Sequence, residues 1–152
     1  MRKCRLALLV AMLILVLMPR DGQSQSGQSN ARKSAGALSQ NYPNPFNPET
    51  RSAFTVGQFE QGCPEGGRQY KVSLRVFNIL AQQVAVPQLE GGSAGVAGGQ
   101  RVENMSLPCG RYTVYWNGKY DGTQREVASG VYLWALEVDG VRVGVKRSTV
   151  AK

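Results

Sequence analysis

The chain has 152 residues, with 18 Lys and Arg against 10 Asp and Glu, a net charge of +8, and no histidine. Without histidine, Ser-His-Asp and Cys-His catalysis are excluded. The positive charge is scattered, with no basic run longer than pairs such as Lys146-Arg147 and no clustered Arg or Lys among aromatics. It therefore reads as a solubility device, and no nucleic acid is expected as a partner.

Arg2, Lys3 and Arg5 precede an uncharged run of 13 apolar residues, 6–18, which Pro19 and Arg20 end. A spanning helix needs roughly twenty apolar residues, so this run fits the apolar segment of a signal peptide. Ser24 and Ser26 are small enough for a signal peptidase, which places cleavage near Ser26 and residues 1–26 in the signal peptide. An uncleaved anchor is the bland alternative. Cys4 lies ahead of the apolar run, whereas a lipoprotein cysteine would follow it. The mature chain is then an exported protein with no stable membrane span. It keeps 14 basic and 9 acidic residues, a net charge of +5, in a length that suits one domain. Only Cys63 and Cys109 remain after cleavage, and in an oxidising compartment they are expected to form a disulfide. Two cysteines without histidine cannot complete a zinc site.

Residues 27–37 are rich in Ser, Gln, Gly and Ala and read as a flexible leader, with order beginning near Leu38. Next comes Asn41-Tyr42-Pro43-Asn44-Pro45-Phe46-Asn47-Pro48, whose three prolines predict a kinked extended segment anchored by Tyr42 and Phe46. From Thr50 the apolar period is two. Ser52, Phe54 and Val56 alternate in one strand, and Val72, Leu74 and Val76 in a second. Residues 84–86 form a short strand stopped by Pro87. The Gly-rich residues 91–100 read as a mobile loop, and residues 102–107 as a further short strand. Tyr112, Val114 and Trp116 alternate in the next. Residues 131–138 and 141–150 pair across Asp139-Gly140, a type I′ hairpin signal because both central residues need φ > 0. About seven short strands and no amphipathic helix predict an all-β, immunoglobulin-like sandwich over residues 38–152.

No constellation of reactive groups stands out. The acids sit singly, no Asp-rich ladder suggests calcium, and Gly91-Gly92 and Gly98-Gly99 lack the Gly-Lys-Ser/Thr of a phosphate loop. No enzyme activity, cofactor or metal is expected. The turn cluster is more specific. Trp116-Asn117-Gly118, Asp121-Gly122 and Ser129-Gly130-Val131-Tyr132 read as sandwich corners, with Trp116 covering one end of the core and its indole N–H needing a partner.

At these residues the chain resembles a known family. The stretch from Leu38 through Asn41-Tyr42-Pro43-Asn44-Pro45-Phe46-Asn47-Pro48 to Thr50 looks like the opening of the C-terminal type A sorting domain of type IX secretion cargo. Val72-Ser73-Leu74-Arg75-Val76-Phe77-Asn78, Trp116, Gly118, Ser129, Gly130, Tyr132 and the basic end continue that pattern in order. The same domain resembles the immunoglobulin-like part of flagellar hook-capping proteins. The resemblance implies an address read by secretion machinery of the outer membrane, with delivery through the periplasm to the outer surface or medium. Its signal would lie in the final strand, here Val145, Lys146, Arg147, Val150 and Lys152, and recognition by backbone pairing at an exposed sheet edge is the expected mode. Asn78 stands where the family often has Asp, Ala81 where it often has Gly, and Cys63 and Cys109 are additions to the pattern. The leader runs straight into the sorting-like module, so the reading is of a module with nothing to sort but itself, or of a chain whose upstream cargo region was lost. The competing expectation is a structural or adhesive module that binds a surface protein or polysaccharide through Tyr115 or Trp134, if these face outward.

Overall fold

Strands dominate the computed structural model, which describes residues 35–64, 67–92 and 94–152. The expected signal peptide and the leader as far as Ser34 lie outside the described residues. Nine strands occur among the described residues: β1 Gly36–Leu38, β2 Thr50–Val56, β3 Gln69–Asn78, β4 Gln83–Ala85, β5 Gln88–Leu89, β6 Met105–Pro108, β7 Gly110–Trp116, β8 Gly130–Val138 and β9 Val141–Val150. One sheet runs β1-β2-β7-β5. The other runs β4-β3-β8-β9, with β6 sharing the edge of β3 that β4 also uses. All these pairings are antiparallel. The molecule is the all-β sandwich that its period-two pattern predicts.

The alternation read along β2 is the burial seen: Thr50, Ser52, Phe54 and Val56 point inward, opposite Trp116, Val114, Tyr112 and Gly110 of β7. On the facing sheet Val72, Leu74 and Val76 of β3 lie beside Val138, Leu136 and Trp134 of β8. Both inner faces meet in a single apolar core. Trp134 is 1% exposed, and its indole N–H donates to the buried Ser148 hydroxyl at 2.9 Å. A buried N–H left unpaired would cost more than the bond contributes, so the two residues act as one inward-facing unit.

The Asp139-Gly140 turn has φ of 51° and 77°, as its sequence predicts. The Asp139 carboxylate also accepts the Lys71 N–H at 2.8 Å, which fastens the hairpin tip to β3. The structure corrects the sequence reading in several places. The first strand starts at Gly36, so Gly36 and Ala37 belong to the sandwich and not to the leader. Their backbones pair with Val56 and Thr55, a long-range partnership that composition does not reveal. The Gly-rich segment is closed at its base, where Leu89 N–H donates to Gln100 O and Gly99 N–H to Leu89 O, each at 2.7 Å. β6 begins later than expected because Asn104 turns the chain with φ of 51°.

Asn78 and Ala81 shape the β3–β4 turn. Asn78 Oδ1 accepts the N–H groups of Leu80 and Gln82, each at 3.0 Å, and its Nδ2 donates to Gln82 Oε1 at 2.8 Å. Ala81 sits at φ of 58°, where a Cβ crowds the backbone. Ala81→Gly is therefore expected to stabilise the fold by about 0.5–1 kcal/mol, net of the chain entropy that glycine adds. Thermal unfolding should show a midpoint about 2–6 °C higher.

Candidate recognition site at the last strand

Sequence-distant motifs meet at one end of the sandwich. Residues 38–46 run alongside β9 from Gly144 to Ala151. Leu38 packs on Gly144, where an added Cβ would stand 2.8 Å from the Leu38 Cβ. Gln40 Nε2 then donates to Arg147 O at 2.8 Å, and Asn44 Nδ2 to the same oxygen at 3.3 Å. Asn44 Oδ1 accepts the Thr149 N–H at 2.9 Å. Phe46 N–H donates to Thr149 O at 3.0 Å, and Ala151 N–H to Phe46 O at 3.1 Å, in a parallel bridge to Val150. The edge of β9 expected to be open for strand addition is thus clasped by the chain's own Pro-rich segment. An incoming strand would first have to displace these bonds.

Aromatic packing holds the clasp. Phe46 is 2% exposed, and its ring centroid lies 5.4 Å from that of Trp116. Trp116 in turn meets Tyr132 at 5.6 Å and Trp134 at 5.9 Å, both edge-on, the arrangement that ring quadrupoles favour. The Trp116 indole N–H donates to Lys119 O at 3.0 Å, the partner it was expected to need. Tyr132 donates its hydroxyl to Ala128 O at 2.9 Å, and burial pushes its pKa above the ordinary tyrosine value, with the nearby Tyr120 adding to the effect. Gly118 takes φ of 69° where the chain turns beneath the motif, and a Cβ there would collide with Pro48 O. The glycine is required both for its backbone angle and for this approach.

Tyr42 departs from expectation. It is 82% exposed and anchors nothing by burial. Its backbone pairs both ways with Arg51, which leaves the ring in solvent. The preceding Asn41 is the buried anchor instead, with its amide donating to Thr50 Oγ1 at 2.9 Å and Pro43 O at 3.0 Å. Pro43, Pro45, Asn47 and Pro48 are exposed. Val150 is a core residue rather than part of a surface, whereas Val145, Arg147 and Lys152 are exposed and Lys146 is half-buried. Ser129 and Gly130 border the end of β9, where Ser129 Oγ accepts the Lys152 N–H at 3.1 Å.

Lys152 Nζ lies 2.7 Å from Glu126 Oε2, a contact no local sequence signal announces. The hydrogen bond from Lys152, and secondarily its charge, hold the Glu126 carboxyl below its ordinary pKa. The stabilisation from this depressed group is present at and above the ordinary glutamate range, and disappears as pH falls through the lowered folded value. An NMR titration of the Glu126 carboxyl is expected to give a midpoint below that of a peptide glutamate. The Lys152 Cε methylene resonances, next to the ammonium that contacts Glu126, should move with the same midpoint.

Cys63 and Cys109 are bonded, with Cα atoms 5.6 Å apart, and tie the loop after β2 to the start of β7. Of the two aromatics considered for an adhesive surface, Trp134 is in the core. Tyr115 is half-buried on the outer face of the first sheet, where its hydroxyl donates to Glu49 at 2.7 Å and the Arg51 guanidinium lies 5.2 Å from its ring centroid. That hydrogen bond is the main reason its pKa is raised. Among the described residues, no helix is long and apolar enough to cross a membrane.

No family model matches the chain, and no curated protein does. Among solved structures, it is similar to a chain described as Pseudomonas fluorescens alkylpurine DNA glycosylase AlkC bound to DNA containing an abasic site analog. That similarity has a TM-score of 0.44 and 12% identity, covering 78% of this chain and 31% of the other.

Proposed function

We propose that this chain is an exported, non-catalytic β-sandwich whose clasped last strand is an address read by outer-membrane secretion machinery of the type IX kind. One observation carries the reading. The Pro-rich segment and the basic final strand, about a hundred residues apart in sequence, form one continuous surface joined by five hydrogen bonds between Gln40, Asn44 and Phe46 on one side and Arg147, Thr149 and Ala151 on the other. An address must be legible only on the folded module, and this surface exists only when both ends of the domain are in place.

Recognition reads the side chains that the clasp leaves outside, Arg147, Lys152 and the flanking Val145 and Lys146. Glu137 pairs with Arg75 at 2.7 Å, Asp121 with Arg101 at 2.6 Å, and Glu90 with Arg51 at 2.7 Å. Among the described residues, every fully buried side-chain polar atom has a hydrogen-bond partner.

Truncation is a poor test because Ser148 and Val150 are core residues. Lys146→Glu with Arg147→Glu leaves the clasping backbone bonds in place. In a host with a type IX system, the unaltered chain is expected at the cell surface and the doubly substituted chain in the periplasm, read by protease shaving and fractionation. Surface delivery of the unaltered chain in a strain lacking the secretion machine would overturn the proposal.

A further inference from the structure

The outer face of the first sheet is not evenly covered. Its middle row is small, with Ala53 of β2 opposite Thr113 of β7 and Ser39 on the other side bonded through its N–H to Ala53 O. Larger side chains rise around this row, with Tyr42 and Arg51 at one end and Arg111 at the other. The result is an open groove of about 500 Å³, within the size range of small-molecule sites.

The two ends differ in charge. Arg51 is neutralised, 2.7 Å from Glu90 and 3.9 Å from Glu49. Arg111 is exposed and has no part in the ion pairs formed among the described residues. Tyr42 presents an almost fully exposed ring at the opposite rim. A ligand matching this surface carries one anion for the Arg111 fork and a flat, partly apolar face for the Tyr42 ring, with hydroxyls for Thr113 and Ser39 between them.

We propose that this groove binds an acidic oligosaccharide, with one sugar ring stacked on Tyr42 and the carboxylate or sulfate of a unit further along it held by Arg111. Guanidinium groups engage two oxygens of a carboxylate or sulfate through paired N–H donors, and aromatic rings present a large contact area at low entropic cost. The groove shares Gln40, Tyr42 and Pro43 with the segment that clasps β9, whereas Arg111 belongs to the groove alone. It is tested on purified protein, so the outcome does not depend on how the chain is delivered.

Calorimetric titration of the full exported chain with a short oligogalacturonate, with dextran sulfate and with neutral dextran tests the proposal. Binding of either acidic polymer but not of neutral dextran is expected, and the two acidic arms distinguish carboxylate from sulfate. Arg111→Gln and Tyr42→Ala should each weaken binding roughly tenfold, as loss of a charge-assisted contact or a stacking face implies. Both side chains are exposed, and unchanged near-UV circular dichroism would show that the fold is intact. Arg142→Gln, which removes a cation from the other sheet, should leave affinity unchanged. Equal loss in that variant, equal binding of neutral dextran, retained affinity in both groove variants, or failure of both acidic polymers to bind would each overturn the assignment.

Discussion

Phe46→Ala is expected to destabilise the domain by about 3–5 kcal/mol, the range for truncating a fully buried aromatic. The loss should be uneven. Phe46 fills the space beside Trp116, and its backbone bonds to β9 follow from that anchorage. Hydrogen exchange should therefore accelerate first at Thr149 and Ala151, whose amides bond to Asn44 and Phe46. Protection along β3 and β8 should fall only with global stability, because their pairing from Val72–Val138 to Asn78–Tyr132 does not involve the motif. Uniform acceleration across both sheets would show that Phe46 is ordinary core filling and that the clasp has no separate existence. The same variant, stabilised by Ala81→Gly, would show in the secretion assay whether the address needs the clasp closed.

Replacing both cysteines, Cys63→Ser with Cys109→Ser, is expected to cost about 4 kcal/mol. This follows from the chain-entropy model for a cross-link spanning 46 residues. One end of the bridge lies in the loop after β2, whose 3-10 turn, Phe59–Gln61, buries no residue. Denaturant unfolding with and without reductant should reproduce the difference between the substituted and unaltered chains. A loss below about 1 kcal/mol would mean that β2, β3 and β7 already confine the loop ends in the unfolded ensemble, against the chain-entropy account. Measurement without reductant matters, because the proposed route to the cell surface passes through an oxidising compartment.

Much of the sandwich was legible because strand patterning is local. Residues such as Phe54, Val72, Leu74 and Trp116 alternate with polar neighbours, and a side chain on a strand can face only one of two sides. The Asp139-Gly140 turn was legible for the same reason, since its positive φ values are demanded within two adjacent residues. β1 and β5 were not legible. They are three and two residues long, and they are strands only because β2 and β7 offer edges to them. Patterning also could not tell which aromatics would anchor. Tyr42 and Phe46 look alike in sequence, yet one is in solvent and the other in the core.

By itself the sequence determined the fold class, the pairing of Cys63 with Cys109 once export was inferred, and the special backbone of the β8–β9 turn. The tertiary structure alone decided that the Pro-rich motif lies along β9, closes its edge and brings Asn44 to Thr149. It also decided that Arg111 and Tyr42 share a groove. Those juxtapositions span 105 and 69 positions of chain, and their geometry depends on the sum of every strand register between them. Local propensity acts over a few residues, whereas register between distant strands is set by how two whole inner faces fill one core.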